Sequence, residues 1–81
     1  MLYKVPLVLE PQPEGGYTVT SPLLPELVTE GDTLDEALGN VKDALLALIE
    51  TYEDLGRPLP RNAQIPDANN PVWLETVVST P

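Results

Sequence analysis

The chain opens with the alternating pattern of a β-strand across residues 2–10. Apolar side chains at every second position share one face: Tyr3, Val5, Leu7 and Leu9. Pro6 cannot donate a ladder hydrogen bond and predicts an edge position or a bulge. A Pro- and Gly-rich turn at 11–16 leads to a β-branched strand at 17–20, which predicts a hairpin with a loop of five or six residues. A short third strand is predicted at 26–30.

A long amphipathic helix is predicted from Leu34 to Asp54. Its apolar residues recur in steps of four and three, and three more widen the stripe: Leu34, Leu38, Val41, Leu45, Leu48, Tyr52 and Leu55, with Ala37, Ala44 and Ile49. Thr33 and Glu36 form a capping-box pattern at the start, and Gly56 can end the helix in the left-handed conformation. Gly39 weakens the helix by about 1 kcal/mol relative to Ala. A close approach by another backbone would explain why glycine stands at this position. A coiled-coil seam is the alternative, but one helix of this length favours packing on a sheet.

The C-terminal part predicts a proline-rich loop at 59–71 followed by a last strand from Val72 to Ser79. The predicted fold is therefore α+β, in the order β-β-β-α-β, with one helix packed on a four-stranded sheet. The helix covers only one face of that sheet, and Trp73 and Val77 would lie on the other. We expect sheet faces or edges to pair between chains or against a partner.

Composition limits the kinds of function available. With 81 residues and no Cys, a monomer buries only about 60–65% of its unfolded surface, so a homo-oligomer (dimer or tetramer) is expected, with a compact monomer as the alternative. The net charge of −9 argues against nucleic-acid binding and would attract a basic partner, although solubility alone would also explain it. No signal-peptide pattern or membrane-length apolar run is seen, so we expect a cytoplasmic protein without membrane contact.

No catalytic constellation can be assembled from these residues. There is no His to act as a general base, and the only lysines are Lys4 and Lys42. Four acidic residues crowd the helix start and could hold Mg²⁺, which leaves a metal-dependent hydrolase as an alternative: Glu30, Asp32, Asp35 and Glu36. Capping and the helix dipole explain them without a metal. We therefore expect no enzyme activity, no catalytic residue, no metal and no cofactor.

Two groups of residues are the candidates for contact with a partner or a second copy. The first comes from the predicted last strand: Trp73, Glu75 and Val77. Tryptophan is a frequent interface hot spot, but it is equally common in a core. The second lies near the C-terminus of the helix, where the dipole disfavours negative charge: Glu50, Glu53 and Asp54. A solvated helix face is the simpler explanation of this second group.

Four blocks together resemble the HicB-like antitoxin family: residues 13–19, 21–25, 28–38 and 56–60. The resemblance covers about residues 1–60, and it implies a degraded RNase H-like fold, oligomerisation and neutralisation of a small, basic, RNA-cleaving HicA-like toxin. Pro25-Glu26-Leu27 departs from the family's usual Pro-Gly-Cys. Many members continue into a DNA-binding domain; this chain stops at Pro81, so residues 1–81 are predicted to be a single HicB-like domain without that C-terminal part.

The sequence therefore predicts a non-catalytic, antitoxin-like binding module with a HicA-like basic toxin as its partner. The alternative from another class is a stand-alone oligomeric domain without a toxin partner, and a metal-dependent hydrolase is the third.

Overall fold

The structure is a computed structural model that describes residues 2–65, 71–78 and 80. The strands are β1 (Leu2–Tyr3), β2 (Val8–Pro11), β3 (Tyr17–Thr20), β4 (Val28–Gly31) and β5 (Gln64–Ile65); one helix, α1, spans Leu34–Asp54, and a 3₁₀ turn spans Arg61–Ala63. The order β2-β3-β4 forms an antiparallel three-stranded sheet, and β1 pairs antiparallel with β5. The prediction of an α+β fold with one helix is confirmed.

The first predicted strand is present as two pieces. Residues 4–7, which include Pro6, separate β1 from β2, because proline has no N–H to contribute to a ladder. The predicted alternation holds nevertheless: Tyr3, Val5, Leu7 and Leu9 are half-buried, and their neighbours are exposed. The hairpin loop between β2 and β3 has five residues, 12–16, within the predicted length.

The helix begins and ends where the sequence predicts. The Thr33 hydroxyl accepts a hydrogen bond of 3.1 Å from the Glu36 N–H. At the other end, the Gly56 N–H donates to Glu53 O and the Arg57 N–H to Tyr52 O. With Gly56 at φ 65°, these two bonds form a Schellman motif, which satisfies carbonyls that the last turn leaves unpaired.

The helix buries its apolar stripe against the sheet and the segments around it. One cluster is built on Val19, Ala37 and Val41, and the other on four residues: Leu24, Leu27, Tyr52 and Leu59. Leu7 and Leu45 pack against both clusters, so they join them into one core. Leu55, at the end of the predicted stripe, is exposed because it lies past the last turn.

Two C-terminal predictions are wrong. Residues 61–65 form a 3₁₀ turn and β5 where a loop was predicted, because β5 finds a partner in β1. The predicted last strand, Val72 to Ser79, is not formed: residues 71–78 have no strand partner, and Trp73, Glu75 and Val77 are exposed. Ser79 lies outside the described residues. The main sheet consequently has three strands and not four, since a strand exists only where another strand satisfies its backbone groups.

The expectation of a close backbone approach at Gly39 is also wrong. A Cβ at Gly39 would meet nothing within 4 Å. The close approach lies instead at Gly31, where a Cβ would be 2.6 Å from Ala37 Cα. Gly31 thus lets the end of β4 pass directly against the first turns of α1.

Candidate partner-binding surface

Five residues on the outer side of α1 form a surface that we call the acidic ridge: Asp43, Leu46, Glu50, Glu53 and Asp54. At ~100° per residue they fall within an arc of about 100° on the side opposite the buried stripe. All five are exposed, and Leu46 is 63% exposed. The ridge therefore presents one large apolar side chain on the same helix face as four carboxylates.

Negative charge at the end of this ridge is unfavourable for the helix itself. Glu53 and Asp54 lie in the last turn, which holds no basic residue. Carboxylates beside the carbonyl end of a helix oppose its dipole, at a cost of roughly 0.3–1 kcal/mol each. Residues that oppose the stability of their own helix are candidates for a role in contact with another molecule.

A second feature, which the sequence did not indicate, joins the buried Tyr52 of the helix to the loop before β4. The Tyr52 hydroxyl donates a 2.8 Å hydrogen bond to the Glu26 carboxylate, and the Arg57 guanidinium lies 5.0 Å from the centre of the Tyr52 ring. A backbone hydrogen bond, the Tyr52 hydroxyl and the Arg57 charge all lower the pKa of Glu26. The bond to Glu26 raises the pKa of Tyr52. Tyr52 and Glu26 are 26 residues apart in the chain, so no local sequence pattern predicts this contact.

Glu26 occupies the position where the family pattern has glycine, and the turn closes without one. The Leu27 N–H donates to Leu24 O across Pro25-Glu26, and Glu26 does not adopt positive φ. A type I turn has this geometry, and proline favours it at the second position. Leu27, where the family pattern has Cys, is buried in the core.

We expect Tyr52→Phe to lower the melting temperature at neutral pH and to flatten its fall in acid. The folded state lowers the pKa of Glu26, so its stabilising contribution is present above the ordinary pKa of 4.5 and disappears as pH falls through the folded value. Thermal unfolding by circular dichroism from neutral pH to below 4.5 measures both effects. Tyr3→Phe is the control, and equal acid dependence in the two variants would contradict this linkage.

The first group of candidate residues, Trp73, Glu75 and Val77, lies in the segment 71–78 and not in the sheet. Trp73 is 84% exposed and Val77 50%. The second group, Glu50, Glu53 and Asp54, forms part of the acidic ridge. The structure thus places the two groups on separate segments, and it adds Asp43 and Leu46 to the second. Leu46 could have been found from the sequence, because it stands outside the four-and-three stripe of the buried face.

The acidic residues at the helix start do not form a metal site in the part of the chain that the structure describes. There, no three Asp or Glu side chains are arranged to hold a metal ion together. Glu30, Asp32 and Glu36 instead line an open cleft between the hairpin loop and the start of α1. The Asn40 side chain donates a 2.7 Å hydrogen bond to the Glu30 carbonyl at its rim. Within the same described residues, no helix combines the length and apolarity that crossing a membrane requires.

The chain was compared with known protein families and with individual proteins, and it matches both. A family model described as the HicB-like antitoxin of bacterial toxin–antitoxin systems matches residues 5–79. Antitoxin HicB 1 of Photorhabdus laumondii is 44% identical over 57 residues, which are 70% of this chain and 37% of that protein. Antitoxin HicB of Escherichia coli K12 is 40% identical over 57 residues, 70% of this chain and 41% of that protein.

A shorter relative matches over most of its own length. A UPF0150 protein of Thermoplasma acidophilum is 36% identical over 59 residues, which cover 73% of this chain and 86% of that protein. The chain thus spans about two fifths of the two named antitoxins and most of this relative. The family model covers nearly the whole chain, and the chain belongs to the HicB-like antitoxins of bacterial toxin–antitoxin systems.

Proposed function

We propose that the chain is a non-catalytic binding module that neutralises a small, basic, RNA-cleaving toxin of the HicA type in the cytoplasm. Family membership carries this proposal: the relatives that share 40–44% identity are named antitoxins. The net charge of −9 is complementary to a basic partner. Because the toxin would act on RNA, an acidic protein can compete for the same basic surface.

The acidic ridge is the surface that we propose for the toxin. Its four carboxylates would steer a basic protein towards the helix, while Leu46 would be the apolar anchor at the centre of the contact. A helix that packs its opposite side firmly on the core offers these side chains on a rigid support. The toxin would be inhibited by occlusion, so no chemical step on this chain is required.

A degraded RNase H-like fold is part of the proposal. The observed β-β-β-α order of β2, β3, β4 and α1 is compatible with it. A working RNase H site needs several carboxylates that converge to bind metal ions. Glu10 on β2 and Glu75 in the segment 71–78 are both exposed and lie on separate segments. The fold would therefore act here as a scaffold for binding.

Co-expression with a small basic protein encoded beside the gene tests the proposal. We expect a stable complex on affinity purification at physiological salt and rescue of growth when the toxin is induced. A toxin variant without RNA cleavage, but still able to bind, separates complex formation from toxicity. Failure to form a complex and to rescue growth would reject the antitoxin role and favour a stand-alone domain.

A further inference from the structure

The last turn of α1 carries two of the four carboxylates of the acidic ridge, Glu53 and Asp54, and no basic residue. Backbone carbonyls at the end of a helix have no partner within the helix, and negative charge beside them opposes the dipole. Both effects favour fraying of this turn. Asp43 and Leu46, by contrast, have helical turns on both sides. The C-terminal end of the ridge is therefore the part that needs support from outside the helix.

Tyr52 provides that support from the opposite side of the same turn. Its side chain is only 7% exposed, and it belongs to the core cluster with Leu24, Leu27 and Leu59. Its hydroxyl donates the 2.8 Å hydrogen bond to the Glu26 carboxylate. The ring and the hydroxyl together attach the last turn of the helix to the loop before β4.

The loop that carries Glu26 is itself fixed. Pro25 restricts the backbone directly before it, and Leu27 directly after it is buried in the core. The Leu27 N–H donates a 3.0 Å hydrogen bond to Leu24 O across the turn. A carboxylate on such a turn is an acceptor in a defined place, so the bond to Tyr52 holds the end of the helix in position.

Arg57 adds to the same contact from beyond the end of the helix. Its backbone N–H donates to Tyr52 O at 2.9 Å, and its guanidinium lies 5.0 Å from the centre of the Tyr52 ring. A cation over an aromatic face is attracted to it, and a cation past the last turn favours the helix dipole. We call Glu26, Tyr52 and Arg57 the Tyr52 cluster. It holds the turn that the carboxylates of the ridge weaken.

The Tyr52 cluster shares no residue with the acidic ridge, so it can act on binding only by positioning. Flexible side chains must be ordered when a partner binds, and the cost is smaller where the backbone beneath them is already fixed. We propose that Glu26 is a positioning residue for toxin binding: through the Tyr52 hydroxyl it holds the two carboxylates of the last turn in the arrangement that meets the basic partner. This inference rests on the proposed function. It also distinguishes this chain from the family pattern, whose glycine at this position has no side chain to accept the bond.

Dissociation of the toxin from the full chain tests this role. Surface plasmon resonance is measured with a toxin variant that binds but does not cleave RNA, at a temperature at which circular dichroism shows every variant folded. We expect Glu26→Ala to raise the dissociation rate about 5-fold. Glu26→Gln removes the same charge but keeps an oxygen that can accept from Tyr52, so its rate should stay within about 2-fold of the parent. Equal rates for the two variants would overturn the positioning role.

Thr33→Ala is the control for a general loss of stability. It removes the 3.1 Å capping bond at the other end of α1, and loss of an N-cap destabilises a helix. We expect a lower unfolding midpoint with toxin dissociation near that of the parent. Faster dissociation in Thr33→Ala, equal to that in Glu26→Ala, would overturn the proposal.

A double-mutant cycle shows which part of the ridge Glu26 acts on. In a background with Glu53→Gln and Asp54→Asn, the carboxylates that Glu26 positions are gone, so Glu26→Ala should add less than about 2-fold. In an Asp43→Asn background, Glu26→Ala should keep its full effect of about 5-fold. Equal effects in the two backgrounds would overturn the proposal.

The outcomes also separate this inference from the proposed function. A parent chain that binds no toxin would overturn both. A parent chain that binds the toxin, but whose dissociation rate does not change with Glu26→Ala, would keep the proposed function and overturn only the positioning role of Glu26.

Discussion

Gly31→Ala is expected to destabilise the fold by about 3 kcal/mol or more. The new Cβ would lie 2.6 Å from Ala37 Cα and 2.9 Å from Glu36 C. Both atoms belong to the helix backbone, so no side-chain rotation can relieve the clash, and β4 must move away from α1. For a domain whose total stability is on the order of 4–12 kcal/mol, this is a large fraction. Urea unfolding followed by circular dichroism measures the loss.

Gly39→Ala is the matched control, since it makes the same chemical change within the helix. A Cβ there meets nothing within 4 Å, and alanine favours the helix over glycine by about 1 kcal/mol. We therefore expect opposite signs for the two substitutions. Similar unfolding midpoints for the two variants would contradict the close packing of β4 on α1.

Reversal of three charges on the acidic ridge, Glu50→Lys, Glu53→Lys and Asp54→Lys, is expected to weaken toxin binding by about 100-fold. Each substitution places like charge against a basic partner, and growth rescue should be lost with it. Basic residues at the carbonyl end of α1 favour the helix dipole by roughly 0.3–1 kcal/mol each. The free variant should therefore be at least as stable as the parent, which excludes unfolding as the cause.

The control carries the same change of charge on another surface: Glu10→Lys, Glu14→Lys and Glu30→Lys, all at exposed positions. This control variant should associate more slowly, because its overall negative charge attracts a basic partner less strongly. Its dissociation rate should stay near that of the parent. Surface plasmon resonance at two salt concentrations separates the two rates. Equal dissociation rates for the two variants would argue against the acidic ridge as the toxin-binding surface.

The predictions that succeeded rest on interactions between residues close in sequence. The bounds of α1 follow from the capping bond at Thr33, the regular stripe and the left-handed Gly56. The hairpin follows from alternation and a glycine-rich turn. The candidate acidic residues Glu50, Glu53 and Asp54 could be placed on one helix face because helical spacing alone determines that placement.

The predictions that failed depend on distant partners. Val72–Ser79 has the composition of a strand, yet residues 71–78 have no partner in the described chain. Residues 61–65 were predicted as a loop, but β1 pairs with β5. Likewise, nothing local links Tyr52 to Glu26.

The sequence by itself determined the helix, its buried stripe, the hairpin and the acidic character of the protein, because each depends on local spacing or on composition. Tertiary structure decided which glycine permits close packing: Gly31, where β4 meets α1, and not Gly39. It also decided that, within the described part of the chain, residues 71–78 have no strand partner. Strand pairing and backbone contact join residues far apart in the chain, so these features exist only once the chain has folded.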